Sequence, residues 1–136
     1  MRTATIRVGA ALMLATASLA VGSATANAEP TGHQVKYVLT SATGASFQVN
    51  YLTAQPPNKD AYNADPYTFL KKEEIGTPWE FTTTLEDAQW ATIDASIGFH
   101  RANAQPNPHC EIWVDDQLVT QGDGPYTARC QLANWA

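Results

Sequence analysis

Two cysteines and three histidines are the residues through which this chain could most readily do chemistry. His109 immediately precedes Cys110, and a thiolate beside an imidazole is the pairing of a cysteine nucleophile. Cys110, however, opens the alternating run C-E-I-W-V-D, and neighbours along a strand point to opposite faces, so His109 and Cys110 point apart. Ser41, Ser46 and Ser96 stand in neither a G-x-S-x-G nor an S-x-x-K context. His33, His100 and His109 are not spaced as zinc ligands. Asp115, Asp116 and Asp123 lack the alternation of a calcium loop and read as turn residues. The carboxylate pairs Glu73-Glu74 and Glu86-Asp87 fall in expected loops or turns. The sequence thus predicts no catalytic group, no metal site and no cofactor.

The first residues point to export. Arg2 and Arg7 form a basic start, Val8 to Val21 form a run of small and apolar residues, and Ala26-Asn27-Ala28 offers small residues at an A-x-A cleavage site. The core is shorter and less apolar than the ~20 residues needed to span a bilayer, so residues 1–28 are expected to be a signal peptide and 29–136 one domain. No stable membrane anchor is expected, and the mature chain is expected to be secreted or to stay in the periplasm or cell envelope. Loss of Arg2 and Arg7 takes the formal charge from −5 to about −7, without the basic stripe that nucleic-acid binding needs. Outside the cytoplasm, two cysteines at inward positions of neighbouring strands are most simply a disulfide, Cys110–Cys130.

The elements that position these residues read as strands. Val35, Tyr37 and Leu39 share one face of Gln34–Thr40, and Phe47, Val49 and Tyr51 one face of Ser46–Leu52, with a hairpin turn expected at Ser41–Gly44. Trp79–Leu85 alternates after Pro78, and Ala91–Phe99 alternates after a Glu86-Asp87 turn. Cys110, Ile112 and Val114 face one way, a short strand follows at Leu118–Thr120 after the Asp115-Asp116-Gln117 turn, and Tyr126, Ala128, Cys130 and Leu132 form the last face. A second turn is expected at Gln121–Pro125. The pattern predicts an all-β, Ig-like antiparallel β-sandwich of about seven short strands with one disulfide. Thr53–Thr77, with Pro56, Pro57, Pro66 and the run Lys71-Lys72-Glu73-Glu74, is expected to be an exposed excursion holding a short edge strand at Tyr67–Leu70.

Aromatic residues mark the candidate binding surface. Trp113 stands among polar residues between Glu111 and Asp115, and strict alternation puts Trp90 on the face of Thr92 and Asp94. Such residues are either half-buried, under the long loop or on the stem of Arg129, or form a surface for a ligand or partner. Tyr62, Tyr67 and Phe69 join that surface if the loop folds back across the sheet.

The strands V-K-Y-V-L-T and Phe47–Leu52, Pro78-Trp79 before a Thr-rich strand, and above all C-x-I-x-V-D followed by G-P-Y and Cys130 resemble the MmpS family. These are small mycobacterial accessory proteins of the MmpL transporters, which are of the RND type. The chain departs from that pattern in its expected cleavage, in Asp115-Asp116 where Asp-Gly is usual, and in the long 53–77 loop. The resemblance implies a non-enzymatic exported protein that works with an envelope transporter, assists export of lipids or siderophores, or binds an envelope component. Two alternatives stand beside it. One is a secreted effector or inhibitor that binds a host or competitor protein through the 53–77 loop; the other is a small hydrolase that depends on His100 or His109.

Overall fold

Eight strands carry the expected alternation in a computed structural model that describes residues 31–97 and 105–135. The signal peptide expected at 1–28, and Phe99 and His100, lie outside the described residues. The strands are β1 His33–Ser41, β2 Ser46–Leu52, β3 Leu70–Gly76, β4 Trp79–Leu85, β5 Thr92–Ser96, β6 Pro108–Val114, β7 Gln117–Asp123 and β8 Thr127–Gln131. They pair antiparallel throughout, in two four-stranded sheets ordered β4-β1-β6-β7 and β3-β2-β5-β8. The inner faces meet as one core: Val35, Tyr37 and Leu39 from β1, Phe47, Val49 and Tyr51 from β2, Ile93 and Ala95 from β5, and Ile112 from β6 are all buried. The all-β sandwich with one disulfide stands as expected, with eight strands.

Cys110 on β6 and Cys130 on β8 bond across the core from one sheet to the other, with Cα atoms 6.1 Å apart. Closing a loop of this length stabilises a fold by roughly 3 kcal/mol, chiefly by restricting the unfolded chain. A second tie between the sheets is the hydroxyl of buried Tyr37, which donates to the Leu52 carbonyl at 2.8 Å. Burial raises this phenol far above its ordinary pKa of 10.0, so it remains a neutral donor. Tyr51 packs edge-on against Trp79 and Phe81, with ring centres 4.9 and 5.1 Å away, and these rings close one side of the sandwich.

Four local expectations are corrected. The Ser41–Gly44 turn forms, with the Gly44 amide 3.3 Å from the Ser41 carbonyl, but β1 and β2 belong to different sheets, so it is a corner and not a hairpin. The edge strand is Leu70–Gly76, not Tyr67–Leu70. Its Lys71 and Glu73 stand opposite Tyr51 and Val49 on the core-facing side, where inward charges guard an unpaired edge. Strand β7 runs on through Gly122 to Asp123, where a turn was expected. Trp90 is not on the solvent face: it ends a 3-10 turn, Ala88–Trp90, and is only 7% exposed.

Candidate functional site

The 53–69 excursion joins β2 to β3, which pair with Leu52 opposite Leu70, so it is the loop of a hairpin. Its ends are held together where the Thr53 amide donates to the Phe69 carbonyl at 2.8 Å. Local chemistry folds the interior. Asn58 caps a short helix, α1 (Lys59–Ala64), by accepting the Ala61 amide at 2.8 Å. Pro66, with φ already set for the turn, then starts a 3-10 turn, Pro66–Thr68, where the Thr68 hydroxyl donates to Asp65 at 2.9 Å. These turns bring Tyr62 and Phe69 onto the edge of the core.

A second segment reaches the same place from the C-terminal side. The 3-10 turn Ala133–Trp135 docks on Ala88–Trp90 through three hydrogen bonds: Asn134 to Asp87 at 3.1 Å, the Ala133 amide to Gln89 at 3.2 Å, and the Trp135 indole N–H to the Trp90 carbonyl at 2.7 Å. Trp135 thereby stands edge-on to Tyr62, with ring centres 4.8 Å apart, and edge-on to Trp90 at 5.7 Å.

Between these segments and the outer face of the β3-β2-β5-β8 sheet lies a groove of 380 Å³. Tyr62, Pro66, Tyr67 and Trp135 wall it, and its floor is two rows of outward side chains. Asn50, Asp94 and Arg129 are consecutive cross-strand partners on β2, β5 and β8, and Thr92 stands opposite Gln131 in the next row. The Arg129 Nη2 and Nε donate to the same Asp94 carboxylate oxygen at 2.8 and 3.1 Å. The two charged residues that line the floor are thus bound to each other, and exposed Lys72 on β3 continues the row beyond Asn50. Burial, and then the neighbouring Tyr67, raise the pKa of the Tyr62 phenol, which keeps that side chain neutral. A smaller cavity of 250 Å³, lined by Lys59, Tyr62, Asn63, Trp90, Asn134 and Trp135, shares the Tyr62–Trp135 pair.

The five aromatic residues singled out by sequence separate into two places. Tyr62, Tyr67, Phe69 and Trp90 gather at the loop-covered sheet: Tyr62 lies 6.4 Å from Phe69 and 6.1 Å from Trp90, while Tyr67 is 62% exposed over the groove. Trp113 lies on the other sheet, whose outer face carries its own network. Lys36 Nζ sits 5.0 Å from the centre of the Trp113 ring, and the indole N–H donates to Glu111 at 2.7 Å. Glu111 in turn meets His109 at 3.1 Å, which lies 3.4 Å from Asp123. Trp113 therefore packs under Lys36, not on the stem of Arg129.

Sequence reading passed over Trp135, Asn50 and Gln131 as site residues. The outward positions flanking Tyr51, Ile93 and Cys130 were available as polar floor residues, but a row across three strands needs the strand order, which is not local information. Among the described residues, no cluster of three or more His, Cys, Asp or Glu side chains could hold a metal. No helix among them is long and apolar enough to cross a membrane. Of the serine and histidine candidates, Ser41 and His33 are tied into the scaffold: the Ser41 hydroxyl donates to the Pro106 carbonyl at 2.7 Å and accepts the Thr43 amide at 3.2 Å, and His33 pairs with Asp115 at 2.7 Å.

Fold and site together define a disulfide-bonded antiparallel β-sandwich with a loop-covered groove on one outer face. The chain belongs to the Rv2576c β-sandwich family, whose model, described as the Rv2576c beta-sandwich domain, matches residues 37–130. The uncharacterized proteins Rv2576c of Mycobacterium tuberculosis H37Rv and Mb2606c of Mycobacterium bovis are each 38% identical to it over 117 residues, covering 82% of this chain and 74% of theirs. This family match overturns the MmpS resemblance. The motifs behind that resemblance, alternating strands around C-x-I-x-V-D and a closing cysteine, are what a disulfide-stapled sandwich requires of its core positions, and they do not separate one such family from another.

Proposed function

We propose that this chain is an exported, non-enzymatic binding protein of the cell envelope whose working surface is the groove over the β3-β2-β5-β8 sheet. The observation that carries the reading is the construction of that groove. Two separate segments, the β2–β3 excursion and the C-terminal turn, are locked by caps and hydrogen bonds into aromatic walls over a polar floor. A small concave site with fixed aromatic walls and a few convergent polar groups is the usual form of a ligand pocket. Export is supported by the N-terminal pattern and by the inter-sheet disulfide, which belongs to oxidising compartments.

The test is photo-crosslinking in the producing cell from a benzophenone amino acid at position 67, with the same probe at position 113 as the control. Envelope material captured from position 67 and not from 113 is the expected result. Capture of nothing from position 67 overturns the reading.

The exposure of Tyr67 also favours a second reading, a secreted effector or inhibitor that engages a host or competitor protein through the excursion. Release of the mature chain into the medium, with capture of only a foreign protein from position 67, would favour it over envelope binding.

A further inference from the structure

We propose that the groove binds a neutral saccharide, one or two sugar rings of a larger glycan. This rests on the reading of the groove as the working surface and adds the chemistry of what it holds. The mutual pairing of the floor charges favours a neutral occupant over an ion. Arg129 and Asp94 neutralise each other at 2.8 Å, so an anion must compete with Asp94 for the guanidinium, and a cation must compete with Arg129 for the carboxylate. Arg129 is largely exposed, so this competition is modest and sets a preference among ligands. The whole chain, with formal charge −5, further disfavours an anionic ligand.

What the floor leaves open suits hydroxyl groups. Half-buried Asn50 and Thr92 have no side-chain hydrogen-bond partner among the described residues, and Asp94 uses one carboxylate oxygen for both Arg129 contacts. The two rows together offer an amide with donors and an acceptor, a hydroxyl, and a free carboxylate oxygen: Asn50 and Asp94 stand on neighbouring strands ~4.8 Å apart, and Thr92 is two residues along β5 from Asp94. A hydroxyl both donates and accepts, so one sugar ring can satisfy several of these groups. An acyl chain satisfies none and strands them against apolar surface.

The walls suit the same ligand. The C–H faces of a sugar ring are its apolar surface, and aromatic rings are the side chains that cover such faces at small entropic cost. Tyr62 and Trp135 are fixed by their mutual contact and by the indole hydrogen bond to Trp90, so little ordering remains when a ligand arrives. Tyr67 stays 62% exposed at the rim, placed to cover a ring lying on the floor.

The chain purified from its host is titrated by calorimetry with gluco-, galacto-, manno- and arabino-oligosaccharides, with inorganic phosphate and decanoate as charged and acyl probes. Saturable binding of at least one neutral oligosaccharide is expected, with neither phosphate nor decanoate binding. Tyr67→Ala and Asn50→Ala should each weaken it about tenfold, and Trp113→Phe, on the opposite sheet, should leave it unchanged. Near-UV circular dichroism checks that each variant keeps its packing. Absence of saturable binding by every oligosaccharide overturns the proposal, as does binding that Tyr67→Ala and Asn50→Ala leave intact. Binding of decanoate or phosphate alone also overturns it, while leaving the groove a binding surface; failure of the crosslinking at position 67 would remove that surface itself.

Discussion

Asp116 holds a left-handed backbone, φ 66°, directly after Asp115 at φ 49°. Two consecutive positive φ values make the two-residue turn between β6 and β7 one that favours glycine, above all at its second position. Asp115 repays its conformation by accepting the Gln34 amide at 2.9 Å and pairing with His33. Asp116→Gly should therefore stabilise the fold by about 0.5–1 kcal/mol, relief of the backbone outweighing the extra freedom of the unfolded chain; the urea midpoint measures it. A pH dependence follows from the same region. Glu111 is held below its ordinary value of 4.5 first by the Trp113 indole and then by His109 and Lys36, and Asp115 below 3.8 first by His33 and then by the Gln34 amide. Carboxyls with depressed folded-state pKa values contribute stability that is present above their unfolded values and lost as pH falls through the folded ones. Urea midpoints of the native chain should hold from pH 7 to about 5 and fall below about 4.5. The double variant Glu111→Gln/Asp115→Asn should be less stable at neutral pH, with the gap closing on acidification. A gap that is constant with pH would contradict this assignment.

Strands were legible where one face is buried and illegible where none is. β2 and β4 have the bounds that alternation predicts, Ser46–Leu52 and Trp79–Leu85, because their alternate residues, Thr83 apart, reach the core or its aromatic rim. β3 was hidden because an edge strand reading L-K-K-E-E-I-G offers no alternation, its charges being what keeps the edge unpaired. Trp90 was misplaced because the 3-10 turn at Ala88–Trp90 breaks the two-residue period, so both Trp90 and Ala91 are buried in succession. Gly122 looked like a turn residue and is instead a point where β7 lies close against β8. A Cβ there would lie 2.9 Å from the Arg129 carbonyl oxygen and 3.6 Å from the Cys130 sulfur. The neighbour in closest contact is backbone, which cannot swing aside, so Gly122→Ala should cost about 1–3 kcal/mol. A thermal midpoint within a degree of the native one would show that the two edges can part without penalty.

At the scale of the whole molecule, scaffold and groove are separable in principle, because the excursion begins and ends at paired residues. Leu52 stands opposite Leu70, and the Thr53 amide donates to the Phe69 carbonyl, so the chain leaves and re-enters the sheet at one point. Replacing residues 53–69 with Asn-Gly would turn β2 and β3 into a tight hairpin with the native register. The deletion removes fully buried Pro56 and the packing of Tyr62 and Phe69 on the core edge, and uncovers part of Trp90, a loss of about 3–6 kcal/mol by apolar area. Shortening the loop by about three halvings returns roughly 2 kcal/mol of closure entropy. The second effect offsets part of the first, and the Cys110–Cys130 bond, which lies elsewhere in the sandwich, is untouched. The shortened chain should therefore unfold cooperatively, about 1–4 kcal/mol less stable than the native protein, while losing all oligosaccharide binding, because Tyr62, Pro66 and Tyr67 leave with the loop. A shortened chain that cannot fold would make the excursion part of the core. One that folds and still binds would move the site off this face.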